Sequence, residues 1–320
     1  MTDIAGTGFD LILAALILGA GLFAIAARDL FGTVMFFIVY GVFVAIAWLR
    51  LDAIDVALTE AALGAGLTGI LLIGAVARLA RVTAPAREDG APAASRRPPW
   101  IVRLATLSVA ATISAAVGWA FLSLPLSAGL SGAVSENLSE SGVKNPVTAV
   151  LINFRGWDTM IESVVLLAAL VGLWSLTRDA EWGRRVGLRQ HARAGGVMTT
   201  FGRLLPPFGL LLGVYLVWAG SSQPGGAFQG GTVLAAVWLL VMMAGLTPAP
   251  RMTSGRMRAI LVAGPLVFVV VGIAGALAGT FLGLPTAFAK PLILMIEAAL
   301  TLSIAATLAL LVLGTPEPAR

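Results

Sequence analysis

Nine stretches of predominantly apolar residues, near 8–27, 30–49, 55–77, 101–123, 159–177, 204–220, 228–247, 257–280 and 291–313, fill most of the 320-residue sequence. Each is about as long as the roughly 20 residues a helix needs to cross the hydrocarbon of a bilayer. No other feature restricts the fold as tightly. Inside lipid a backbone must satisfy its own polar groups, and only helices or closed barrels do so. The charged fraction of 12% is well below the roughly 25% of a soluble domain, and the mean hydropathy is +0.96. The expected fold is all-α, a polytopic transmembrane bundle of about nine helices.

Two breaks organise the chain. Residues 81–99 are rich in Ala, Pro and Arg, and residues 178–196 are basic and polar. They divide the helices into blocks of three, two and four: 1–80, a linker at 81–100, 101–180, a basic loop at 181–202, and 203–320. No internal repeat is evident. No Lys or Arg precedes Arg28, so the basic region of a secretory signal is missing and the first apolar run is expected to stay as a membrane helix. With no cysteine and one histidine, His191, disulfides, thiolate metal sites and histidine clusters are excluded, and no cofactor is expected.

The excess of 21 Lys+Arg over 16 Asp+Glu would suggest nucleic-acid binding in a soluble protein. Here its distribution reports topology, because cytoplasmic loops carry the Lys/Arg excess. With the third loop inside, 17 of the 21 basic residues fall on the cytoplasmic face, leaving Arg50, Lys144, Arg155 and Lys290 outside. The expectation is a multi-pass protein of the cell inner membrane, N-terminus outside and C-terminus cytoplasmic. Trp100, Trp119, Trp157, Trp182 and Trp218 lie near expected helix ends, as interfacial anchors do.

Six acids fall within the apolar stretches: Asp10, Asp55, Glu60, Asp158, Glu162 and Glu297. An ionisable group at bilayer depth costs about 2.5–3.5 kcal/mol or more, which makes each a functional candidate. All six sit near the starts of helices that enter from the outside. Capping or interfacial placement explains Asp10, Asp55 and Asp158 as well as function does. Glu60 lies about 7 Å beyond Asp55, Glu162 about 6 Å beyond Asp158, and Glu297 about 9 Å beyond Pro291, deeper than a cap requires. Asp158 and Glu162 are four apart and share a helix face. Either an ion path or a structural hydrogen-bonded role fits Glu60 and Glu162, and a transient Na⁺ at these two is the one metal the pattern admits. Both lysines, Lys144 and Lys290, fall outside the membrane core, so a mid-membrane lysine relay is not expected.

The break Ser221–Ser222–Gln223–Pro224–Gly225–Gly226–Ala227–Phe228–Gln229–Gly230–Gly231 lacks the Lys-Ser/Thr ending of a phosphate loop and the strand before a dinucleotide fingerprint. Pro224, Gly225, Gly226, Phe228, Gln229, Gly230 and Gly231 suit a tight or unwound structural or gating segment, tolerated at membrane depth where it is buried in protein or faces a water-filled cavity. Close helix packing is the alternative use of such glycines.

Three segments resemble parts of Mrp-type multisubunit cation/proton antiporters and the related membrane-bound hydrogenases. LDAIDVALTEAALGAGLTG (51–69) is similar to the three-helix segment in the C-terminal part of the large A subunit, which in hydrogenases is a small polypeptide of its own, the D-type one. NPVTAVLINFRGWDTMIES (145–163) resembles the following two-helix, E-type segment. RLLPPFGLLLGVYLVWAGSSQPGGAFQGG (203–231) resembles the start of the four-helix B subunit, although Ala227 stands where a third glycine is common. The resemblance implies a subunit that contributes Asp55, Glu60, Asp158, Glu162 and Glu297 to a Na⁺ or H⁺ path. Its partners would be other Mrp-like membrane subunits, including the antiporter-like large subunit whose module is not found before the first segment. No covalent chemistry is implied. A redox-driven complex of the hydrogenase kind and a purely structural assembly role are the alternatives.

Overall fold

The computed structural model describes residues 4–83, 99–125, 129–187 and 195–316. Most of the expected linker, the middle of the basic loop with His191, and the arginines Arg87, Arg96, Arg97, Arg189, Arg193 and Arg320 lie outside the described residues. Among the described residues the regular structure is helical. The helices are α1 (Ile4–Ala26), α2 (Leu30–Arg50), α3 (Ile54–Thr59), α4 (Thr68–Thr83), α5 (Trp100–Ser123), α6 (Ser131–Asn137), α7 (Pro146–Thr148), α8 (Gly156–Ser175), α9 (Val197–Ala219), α10 (Ala227–Met243), α11 (Gly255–Ala278) and α12 (Thr286–Leu313).

Among the described residues eight helical stretches are long and apolar enough to cross a membrane, α3 and α4 counting as one, Ile54–Ala80. The chain is a multi-pass membrane protein. The seventh expected span differs: α10 has 17 residues, about 25 Å at 1.5 Å per residue and short of the roughly 30 Å hydrocarbon. Two helices start earlier than expected, α9 at Val197 and α12 at Thr286. Both run through their prolines, Pro206 and Pro207 in α9 and Pro291 in α12. Glu297 is therefore about 16 Å from the start of its helix rather than 9 Å past it.

Two of the segments that carry motifs are wound more loosely than an α-helix. Glu60–Leu67 joins α3 to α4 as a π-helical segment, and Ala149–Phe154 joins α7 to α8 in the same way. Thr68 Oγ1 donates to Leu63 O five residues back at 2.8 Å, and Arg155 N donates to Val150 O at 2.8 Å. Such turns widen the helix and concentrate at functional sites.

The chain comprises two compact units. One is Ala77–Ser135, whose α5 buries none of its own residues. The other is Met1–Val76 with Glu136–Arg320. Its centre is α12, packed against α8, α10 and α11. Ile293, Ile296, Leu300, Ile304 and Leu310 on α12 are sealed from solvent, as is Phe268 of α11. The hairpin of α1 and α2 joins this unit through α2, where Gly41 comes so close to Ala65 that an added Cβ would lie 3.3 Å from its backbone. Asp29 caps α2 by accepting from Gly32 N at 2.7 Å.

Candidate functional site

The α9–α10 connection turns back into the protein. Leu216 O accepts from both Gly220 N (3.0 Å) and Gly226 N (2.9 Å), so the chain from Gly220 to Gly226 closes on the last turn of α9. The left-handed φ of Gly226, +121°, suits a residue without Cβ. The loop carbonyls, which have no helical partner, are met by α7 and the two residues before it. Lys144 N and Asn145 N donate to Ser221 O, Asn145 Nδ2 donates to Gln223 O at 2.9 Å, and Thr148 Oγ1 donates to Gly220 O at 2.6 Å. Asn145 caps α7 at the same time, its Oδ1 accepting from Val147 N at 2.9 Å ahead of Pro146. Irregular backbone at membrane depth needs this internal satisfaction.

Asp55 enters from the first turn of α3. It is 9% exposed, and its Oδ1 accepts from Gly225 N at 2.8 Å, with the Asn145 side chain beside it. One turn on, Thr59 Oγ1 donates to Asp55 O at 2.9 Å. Gln229, in the first turn of α10, donates from Nε2 to Asp55 O (3.2 Å) and to Thr59 Oγ1 (3.1 Å). Glu297, 3% exposed, approaches from α12. A Cβ built on Gly226 would lie 3.2 Å from Glu297 Oε1 and 3.4 Å from Gln229 Oε1, so both acceptors face the same patch of backbone. Glu297 Oε2 is buried without a hydrogen-bond partner among the described residues, and Asp55 lies within electrostatic range of it. Three segments distant in sequence thus meet at one pair of carboxyl groups.

The remaining acids are placed elsewhere. Glu60 is half-buried at the start of the π-helical segment, and its carboxylate lies over Gly64, where a Cβ would collide with Oε1. Asp158 and Glu162 do share a face of α8, but that face is exposed, and Asp158 pairs with Arg155 at 2.6 Å. Asp10 forms a two-point pair with Arg50, 2.7 and 3.1 Å, which clamps the ends of α1 and α2. Of the loop residues, Gly225 and Gly226 lie against the carboxyl pair and Gln229 bonds the Asp55 carbonyl, while Gly230 and Gly231 let α10 lie close to α9 and α12. Pro224 and Phe228 are half-buried. Sequence reasoning missed Asn145, Thr148 and Thr59. The signal for the first was Asn-Pro, an N-cap followed by a first-turn proline.

The MbhD family, a D-type component of MBH, matches residues 15–81, and the domain related to the MnhB subunit of Na⁺/H⁺ antiporter matches residues 197–315. The chain joins an MbhD segment to an MnhB-related domain. Asp55 and Glu60 belong to the MbhD segment, and the glycine-rich loop, Gln229 and Glu297 to the MnhB-related domain. Over 155 aligned residues the chain is 28% identical to an uncharacterised protein of Methanocaldococcus jannaschii, covering 43% of this chain and 59% of that one. A chain of the Mrp complex from Dietzia sp. DQ12-45-1b shares the fold over 97% of this chain and 35% of its own length, with a TM-score of 0.74 at 24% identity. A chain of the membrane-bound sulfane sulfur reductase, an archaeal respiratory membrane complex, does so over 67% of this chain and 99% of its own, with a TM-score of 0.55 at 23% identity. The chain spans 59% of the curated relative's length and 35% of the Mrp chain's.

Proposed function

We propose that the chain is a membrane subunit of an Mrp-like cation/proton antiporter complex of the cell inner membrane, supplying carboxylates to a Na⁺ or H⁺ path and docking partner subunits. The observation that carries this reading is the buried Asp55–Glu297 pair, built where the MbhD segment meets the MnhB-related loop. Buried carboxyl groups inside a membrane are costly and are retained where they serve ion movement. Asp55 and Glu297 form the inner station, and Glu60, about 7 Å along from Asp55, continues it. Asp158 and Glu162 face outward from α8. An exposed carboxylate on a spanning helix is costly in lipid, so this face abuts a partner subunit, an antiporter-like large subunit being the natural one. The reaction is vectorial exchange, without covalent chemistry in this chain. The N-terminus is outside and the C-terminus cytoplasmic.

The test is Asp55→Asn and Glu297→Gln, singly, in the assembled complex reconstituted into vesicles with a pH-sensitive dye. Loss of cation-driven pH change with assembly intact is expected. Unchanged exchange in both variants would refute the path and leave a structural role. The MbhD match over residues 15–81 also supports a redox-driven complex, and subunits carrying metal clusters in the purified complex would select that reading.

A further inference from the structure

The orientation of the Gln229 amide is fixed by chemistry. Thr59 Oγ1 spends its one hydrogen on Asp55 O, so Asp55 O and Thr59 Oγ1 both need a donor from Gln229. Nε2 must face them, which leaves Oε1 toward Gly226 and Glu297. An amide oxygen and an ionised carboxylate are both acceptors. Two acceptors that flank one point above Gly226 repel unless a positive guest lies between them, and burying polar groups without a partner is unfavourable. Among the described residues Glu297 Oε2 is without a partner, and neither the first turn of α10 nor Thr301, which bonds its own helix at Glu297 O, supplies one. Asp55, the charged group acting on Glu297, adds negative charge and no hydrogen, since its Oδ1 is itself an acceptor of Gly225 N. Lys290 lies two turns back on α12 with its side chain exposed, and the acids of α8 are exposed on its own surface.

We infer that the Glu297 carboxyl and Gln229 Oε1 form a binding site for a single monovalent positive guest, either Na⁺ or a proton carried on the carboxyl. The site deepens the proposed ion path, on which it rests, by naming where its charge lies and which neutral residue holds it there. In the proton case the Glu297 O–H donates to Gln229 Oε1. In the Na⁺ case both oxygens are ligands. Glu297→Gln is the diagnostic change in either case, because the new amide N–H₂ donates to Gln229 Oε1 permanently and makes the guest unnecessary.

The experiment uses the full chain in its complex, in detergent, with two readouts. One is the midpoint of thermal unfolding against NaCl, with choline chloride as the control. The other is infrared difference spectroscopy of the carboxylic C=O band. Wild type is expected to show either a Glu297 carboxylic band or a Na⁺-dependent stabilisation, the first identifying a proton and the second Na⁺. Glu297→Gln is expected to abolish whichever is present. Gln229→Ala, for use if that variant fails to assemble, is expected to shift the band or raise the half-saturating Na⁺ concentration by about tenfold. Absence of both signals in wild type, or their persistence unchanged in the variants, overturns the inference. Normal transport without either signal sinks the site alone, whereas a clear signal without transport sinks the antiport reading alone.

Discussion

The bond from Gly225 N to Asp55 Oδ1 ties the glycine-rich loop to α3, and its removal has a calculable effect. Gly225 is buried, and at 2.8 Å to a carboxylate its hydrogen bond is of the charge-assisted kind. Asp55→Ala leaves the N–H buried and unsatisfied, a penalty of about 1–3 kcal/mol. At about 1.4 kcal/mol per tenfold, local opening of residues 220–229 rises by about 5- to 150-fold. Asp55→Asn keeps an acceptor at the same place and loses only the charge assistance, about 1 kcal/mol, or roughly fivefold. The bond from Gln229 to the Asp55 carbonyl survives both changes because it uses backbone. Hydrogen exchange read by mass spectrometry separates the cases. Peptides covering 220–229 should exchange faster in the order Ala, Asn, wild type, while those from α11 stay unchanged. Equal exchange in all three proteins would refute the tether, and a uniform rise across α11 and α12 would show that Asp55 supports the whole bundle instead.

Gly231→Ala places a Cβ 2.8 Å from Ile304 Cγ2 and 3.2 Å from Thr301 O, so overpacking between α10 and α12 should cost about 1–3 kcal/mol in detergent stability. Gly172→Ala on α8, with nothing within 4 Å, should melt like wild type. The cysteine-free sequence permits single-cysteine labelling: Lys144→Cys should react with an impermeant maleimide on intact cells and Arg256→Cys only after permeabilisation, and the reverse pattern would invert the topology. Glu162→Gln should weaken copurification of partner subunits while leaving the chain's own melting unchanged, and intact copurification would refute the docking role of that face. Asp10→Asn, which breaks an exposed pair, should leave transport and assembly as they are.

Hydropathy exposed the all-α membrane fold because lipid leaves a backbone few choices. It erred at α10 and at the starts of α9 and α12. At α12 the expected start fell at Pro291, which looks like a boundary by composition, yet the helix begins at Thr286 and runs through it. The π-helical segments were invisible, since a change from i−4 to i−5 bonding leaves the apolar count unaltered. Asp55 and Glu297 could each be picked from sequence as intramembrane acids. Their meeting could not, because no periodicity links residues 242 positions apart. Conversely, the four-residue spacing of Asp158 and Glu162 correctly places them on one face of α8. Spacing alone does not say whether that face turns inward.

The contact between Asp55 and Gly225 joins two segments that match separate families, so it would be an interface between subunits wherever they are separate polypeptides. Here a single backbone carries both. Their ratio is held at one to one, and their meeting is an intramolecular event whose effective concentration is set by the intervening chain. A contact of three hydrogen bonds, Gly225 N to Asp55 Oδ1 and Gln229 Nε2 to Asp55 O and Thr59 Oγ1, needs little independent affinity under that condition.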